Sequence, residues 1–296
     1  MDNASATTSA QNHSSPPPEH SIVPRDVKFN FSDDTPRLWF GGDVFKTHFY
    51  NAFFTTFPPG ENFFVRSVLH YRNQIKDEKL QDEISGFASQ EGIHANAHDI
   101  HLDILDRQGY TSLKRENKFV DAFLKRINKR YPKFALAYTV ALEHFTALLA
   151  HQSFIKGELF VEPAHEDFRP LMMWHGAEEL EHKAVAFDVY QIVDGSYGRR
   201  ATAMILATMS LIFMIPVRMM PLLYKDGALF KFSTWRTGGS FLFGKQGKFV
   251  MPWNHYIQFY RRDFHPWDVQ DFDLIENFRR EWDEGKFIGK AETSVA

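Results

Sequence analysis

The sequence predicts an all-α protein, a four-helix bundle with additional helices towards its C-terminal end. Three observations carry this. Long stretches place apolar residues at helical spacing between recognisable start and stop signals. Alternating β-branched runs, the mark of strands, are missing. Carboxylate and imidazole pairs recur at intervals that suit antiparallel helices.

Residues 1–21 are mostly Ser, Ala, Asn and Pro, with little to bury, and are expected to form a disordered tail. Residues 22–285 read as one helical-bundle domain, and 286–296 as a second disordered tail. From Ile22 to Gly42 the chain is irregular, punctuated by Pro24, Pro36 and Gly41-Gly42. A short helix is expected from Asp43 to Phe57, stopped by Pro58-Pro59-Gly60. A second is expected from near Glu61 to Gln74, and a third from Asp77 to Gln108, ending at Gly109. Residues 113–130 carry charges at helical spacing. Pro132 opens a helix from Lys133 to Lys156, and another is expected from Glu166 to Ile192, with Asp194-Gly195 as its stop.

Residues 201–223 form an apolar helix of a different kind. No charge occurs from Ala201 to Val217; Arg199-Arg200 precede the run, Arg218 and Lys225 follow it, and Pro216 and Arg218 interrupt it. A membrane span needs about 20 apolar residues. Three readings stand: a buried core helix, a helix lying in a membrane surface, or a span. From residue 252 onward, aromatic and charged residues alternate, as in helices that cap a bundle or anchor it at an interface.

Composition narrows the chemistry. Cysteine is absent, which excludes disulfides, thiolate nucleophiles, zinc fingers and iron–sulfur clusters. Any metal must be held by Glu, Asp and His. The net charge is −3 and no basic stripe runs through the chain, so nucleic acid is not expected as a partner. The N-terminus has no apolar leader, which points to the cytoplasm, with attachment to the inner face of the membrane if 201–223 lies on a lipid surface. The 30 Phe residues suit either a bulky core or a wide apolar pocket.

Glu91-Gly-Ile-His94 and Glu179-Leu-Glu-His182 both read Glu-x-x-His, a spacing that puts both side chains on one helix face about one turn apart. A third match, Glu162-Pro-Ala-His165, falls in a loop because of Pro163. Two-metal carboxylate bundles take one Glu from each of two helices and Glu-x-x-His from each of the other two. Here the order is Glu61, Glu91/His94, Glu143, Glu179/His182. Glu61 and Glu91 are 30 residues apart and Glu143 and Glu179 are 36 apart, enough for the chain to run out along one helix and return. Glu61 and Glu143 stand in apolar text, where a carboxylate is costly unless a cation compensates it.

His175 lies four residues before Glu179 and shares its stripe, either as a third imidazole ligand or as a hydrogen-bond donor behind the ligands. Glu178 points about 100° away, where it suits orienting a ligand histidine. It is also, with His98, the candidate for catalytic acid or base work. His98 and His101 read as pocket lining or surface, and Trp174 and Phe187 as core. Mixed Glu and His ligation without thiolate suits two iron ions, with manganese or zinc as alternatives.

The stretch Trp174-His175-Gly176-Ala177-Glu178-Glu179-Leu180-Glu181-His182-Lys183, with Phe57-Pro58-Pro59-Gly60-Glu61-Asn62-Phe63-Phe64 and Gln90-Glu91-Gly92-Ile93-His94, strongly resembles a bacterial family described as predicted metal-dependent hydrolases. The same residues resemble ferritin-like di-iron oxygenases. The pattern of His175, Glu179 and His182 is similar to that of arylamine N-oxygenases, in which a third histidine joins the metals. That likeness implies Glu61, Glu91, His94, Glu143, His175, Glu179 and His182 as ligands.

The leading expectation is therefore a non-haem di-iron oxygenase or oxidase. It would act on an apolar or lipid-like substrate, with dioxygen and an electron-donor protein as partners. The alternatives are a dinuclear hydrolase using a metal-bound hydroxide and a non-catalytic membrane-associated helical protein.

Overall fold

The computed structural model describes residues 20–29, 31–32, 34–244, 252–286 and 291–293, with the last three described by backbone alone. Most of the expected N-terminal tail, residues 1–19, lies outside the described residues, as does most of 286–296. The part of that C-terminal stretch that is described includes a strand, because the free edge of Val27–Phe29 offers it backbone partners. The elements run β1 (Val27–Phe29), α1 (Val44–Phe54), α2 (Phe57–Leu69), α3 (Glu78–Arg107), α4 (Ser112–Arg130), α5 (Pro132–Ile155), α6 (Gly157–Phe160), α7 (Arg169–His182), α8 (Val185–Val193), α9 (Tyr197–Lys225), α10 (Phe232–Phe243), α11 (Trp253–Gln258), α12 (Phe272–Asp283) and β2 (Ala291–Thr293). The β1–β2 pair is antiparallel, with Lys28 opposite Glu292. The rest is helical, and the all-α class holds.

Four helices form the bundle. α2 packs along α3 and α5 along α7; α2 also meets α5, and α3 meets α7. Local chemistry fixes their starts. The Asp77 side chain accepts a hydrogen bond from Leu80 N at the head of α3. Pro132 and Pro170 sit in the first turns of α5 and α7, where a missing N–H costs nothing. The same rule corrects the expected boundary at Pro58-Pro59. These prolines occupy the first turn of α2 and start that helix, leaving Glu61 one turn inside it. The run expected from Glu166 to Ile192 is broken between α7 and α8. There the buried Lys183 Nζ donates to the Val269 carbonyl and to Asp271.

Pro216 and Arg218 do not end α9, which continues through both Pro216 and Pro221. The Arg218 guanidinium is buried. Nη2 donates to the Thr55 carbonyl, the Thr55 hydroxyl and Asn117 Oδ1, and so satisfies the C-terminal end of α1 with a cation. α9 packs against α5 and α1 through Ala203, Met204, Ala207, Met219, Leu222 and Leu223. Its other side, with Ile205, Met209, Ile212, Phe213 and Val217, is exposed. Of the described helices, α9 is the one long and apolar enough to cross a membrane by length and composition.

A Phe-rich core lies at the α1 end of the bundle, where Trp39 stacks on Phe168 with ring centroids 3.8 Å apart. Trp174 and Phe187 are buried, as read from sequence. The loop reading of Glu162–His165 also holds, with Ala164 bridged to Phe40. Because Asp77 caps the helix that carries Glu91 and His94, Asp77→Ala is expected to lower stability by about 1 kcal/mol. Urea unfolding of the variant beside the parent chain measures it.

Candidate metal centre

Each bundle helix delivers its part at one depth. α2 brings Glu61, α3 brings Glu91 and His94, α5 brings Glu143, and α7 brings His175, Glu179 and His182. All seven side chains are buried. They converge in two groups: Glu61, His94 and His175 in one, and Glu91, Glu143, Glu179 and His182 in the other. Within each group the ligating atoms lie within 4.8 Å of one another. His182 Nε2 stands 3.2 Å from Glu91 Oε1, 3.4 Å from Glu143 Oε2 and 3.6 Å from Glu179 Oε2. His175 Nε2 stands 2.8 Å from Glu179 Oε1 and 3.6 Å from Glu61 Oε1, and His94 Nδ1 is 3.7 Å from Glu179 Oε1. Glu179 therefore turns one oxygen to each group.

Hydrogen bonding separates ligating from supporting nitrogens. His94 Nε2–H donates to Glu178 Oε2 at 3.0 Å, which leaves Nδ1 facing the group. His182 Nδ1–H donates to Gln90 Oε1 at 3.0 Å, leaving Nε2. His175 Nδ1 and His98 Nε2 share a hydrogen bond of 2.7 Å. Each histidine is thus held from behind by a polar partner, an arrangement that fixes ring orientation and tautomer at metal sites.

The partners are themselves braced. Arg25 N and Nη1 donate to Glu178 Oε1, and Nη1 and Nη2 donate to the two oxygens of Glu181. Gln90 Nε2 donates to Glu181 Oε2, and Arg279 Nε to Glu181 Oε1.

In contrast to their surroundings, both oxygens of Glu61, Glu91 and Glu143, together with Glu179 Oε2, His94 Nδ1 and His182 Nε2, have no hydrogen-bond partner among the described residues. Buried polar atoms are rarely left unpaired. In these two groups the unpaired atoms gather within 4.8 Å of one another, so the donor set fits cations.

The electrostatics agree. Burial first, then repulsion from Glu91, Glu179 and Glu143, pushes the Glu61 carboxyl well above the usual carboxylate range. Burial and the Glu91 charge do the same to Glu143. Burial works to raise Glu179 as well, but the His182 charge and the His175 hydrogen bond hold it well below. Burial, partly offset by Arg25, lifts Glu178 to about 8.

Glu178, read from sequence as the catalytic residue and as a histidine orienter, has one oxygen on Arg25 and the other on His94. His98 lines a small apolar cavity with Phe54, Phe57, His175 and Glu179. His101 is buried against Trp39, Phe54 and Phe168. Gln90, Glu181, Arg25 and Arg279 were not singled out. Gln90 and Glu181 each immediately precede a ligand, as Glu178 precedes Glu179, so the same helical offset could have found them. Arg25 and Arg279 lie far from the motifs and leave no local signal.

A family model described as predicted metal-dependent hydrolase matches residues 23–270. No curated protein and no solved structure matches the chain. The family description overturns the leading expectation of an oxygenase or oxidase. That expectation rested on a ligand pattern which oxygen-activating and hydrolytic dimetal sites share, and the description names hydrolysis. By this match over most of its length, the chain belongs to the family of predicted metal-dependent hydrolases.

Proposed function

We propose that the chain is a dinuclear hydrolase that cleaves an ester or amide bond in an apolar substrate. The observation that carries this reading is the pair of buried ligand groups, in which the oxygens of Glu61, Glu91 and Glu143 and the inward nitrogens of His94 and His182 lack hydrogen-bond partners among the described residues. One divalent cation would be held by Glu61, His94 and His175. The other would be held by Glu91, Glu143 and His182, with Glu179 shared between them. Oxygen and imidazole donors without thiolate suit manganese, iron or zinc. When bound, such a pair supplies Lewis acidity and lowers the pKa of a coordinated water.

The chain's own residues supply position and protons. With His175 Nε2 turned to the ligand group, its Nδ1–H donates to His98 Nε2, so His98 carries its hydrogen on Nδ1. Burial holds His98 well below the usual histidine range, which keeps it neutral. Its Nδ1–H is then placed to donate to a substrate oxygen in the cavity. Phe54 and Phe57 give that cavity an apolar wall. Glu178, with both oxygens engaged, acts as a positioning residue for His94.

Three outcomes test this reading. Metal analysis after loading with zinc, manganese or iron is expected to find two ions per chain, with hydrolysis of nitrophenyl esters in at least one loaded form. Glu143→Ala is expected to lose one ion and nearly all turnover; two retained ions would remove Glu143 from the ligand set. Glu178→Gln is expected to keep the fold but weaken metal affinity roughly 10–100-fold, read by competition with a chromogenic chelator.

A fourth outcome concerns metal removal. In the metal-free chain, Glu61, Glu143 and Glu178 keep protons that the unfolded chain releases above pH 4.5. His182, raised by Glu179 and Glu143 against the effect of burial, keeps one that the unfolded chain releases above pH 6.5. The folded state therefore binds more protons between pH 6.5 and about 8, and its stability falls as pH rises through that window. Bound cations would replace the protons on Glu61, Glu143 and His182, so urea midpoints are expected to fall across the window for the metal-free chain and to fall much less for the loaded one.

A further inference from the structure

A cavity of about 300 Å³ lies between α2, α4, α5 and α9. Its lining is almost wholly apolar. Glu61 stands at its buried end, and at its open end Phe123 is 55% exposed. The α9 residues that wall it, Leu211 and Met214 among them, lie beside a strip that faces out: Ile205, Met209, Ile212, Phe213, Val217 and Met220. The strip repeats every three to four residues, so it is one continuous side of the helix.

α4 forms the other lip. It presents Phe119, 76% exposed, and Phe123, and it is basic, with seven Lys or Arg residues against Glu116 and Asp121. Arg115, Lys118, Arg126, Lys129 and Arg130 are exposed and form no ion pair among the described residues. The net charge of −3 conceals this local excess.

We propose that the bare side of α9 and the Phe119–Phe123 edge of α4 seat the protein on an anionic lipid surface, and that an acyl chain passes from the bilayer between these helices towards Glu61. The substrate class that follows is an ester or amide of a long-chain acyl group, which rests on the hydrolase reading above. Exposed aromatic and aliphatic residues beside basic ones are the composition that lies in a bilayer interface. α9 lies on the surface and does not cross, because its opposite side is committed to α5 and α1 and to the buried Arg218. The cavity gives the contact a purpose that a second copy of the chain would not supply.

The experiment is sedimentation of the metal-loaded full chain with vesicles of phosphatidylcholine alone or mixed with phosphatidylglycerol. Binding to the mixed vesicles is expected. Lys118→Glu, Arg126→Glu and Lys129→Glu together should weaken it on the order of a hundredfold. Phe213→Glu with Val217→Glu should abolish it, with metal content and helical circular dichroism unchanged in both variants. A parent chain that stays in the supernatant with both vesicle types overturns the proposal. So does a chain that is a dimer without vesicles and is split by Val217→Glu, which assigns the strip to a second copy.

The passage is tested with a long-chain fluorescent fatty acid. Met214→Trp, or the smaller filling Val120→Phe, should block its uptake while sedimentation persists, and unchanged uptake in a folded variant overturns the passage. Sedimentation is read without catalysis, so its survival in a chain that hydrolyses nothing would remove the hydrolase reading and leave the docking surface.

Discussion

Four carboxylates and three imidazoles share a buried space at the centre of the bundle. Like charges brought that close in a poorly polarisable medium repel strongly, and each uncompensated buried charge costs several kcal/mol. Only two routes relieve this: the carboxyls hold protons, or cations occupy the points they face. The raised protonation of Glu61 and Glu143 is the first route. Their unpartnered oxygens, together with membership of a metal-dependent family, favour the second.

The surroundings are arranged for the same end. A cation needs neutral imidazoles presenting the correct nitrogen, and the partners behind the rings meet that need through Glu178, Gln90 and His98. Glu178 and Glu181 would add negative charge to an already acidic centre. Arg25 lies across both and compensates them from the side away from the ligands. The apolar cavities open on this centre at Glu179 and at Glu61.

Much of this was legible in the order of residues. The helix period, the caps and the spacing from Glu61 to His182 predict the bundle and bring the seven side chains together, because i, i+3 and i, i+4 offsets translate directly into shared faces. Where reading failed, a rule depended on context. Pro58-Pro59 serves a first turn as readily as it stops a helix. Arg218 reads as a helix interruption until the end of α1 is seen beneath it. Glu178 reads as a histidine orienter or a catalytic acid or base, and Arg25, about 150 residues earlier in the chain, is found only in the structure on its other oxygen. Function was less legible than fold, since ligand types alone do not separate oxygen activation from hydrolysis.

The bracing of Glu181 has a consequence for how the protein matures. Every ligand has been synthesised once His182 emerges, yet Glu181 is gripped from one side by Arg25 and from the other by Arg279, almost a hundred residues later on α12. A nascent chain carries its complete set of ligands well before it carries the residue that finishes their support. A chain extended through α12 is thus the first to carry the whole arrangement, and one that stops before α12 would hold all seven candidate ligands with an unfinished clamp.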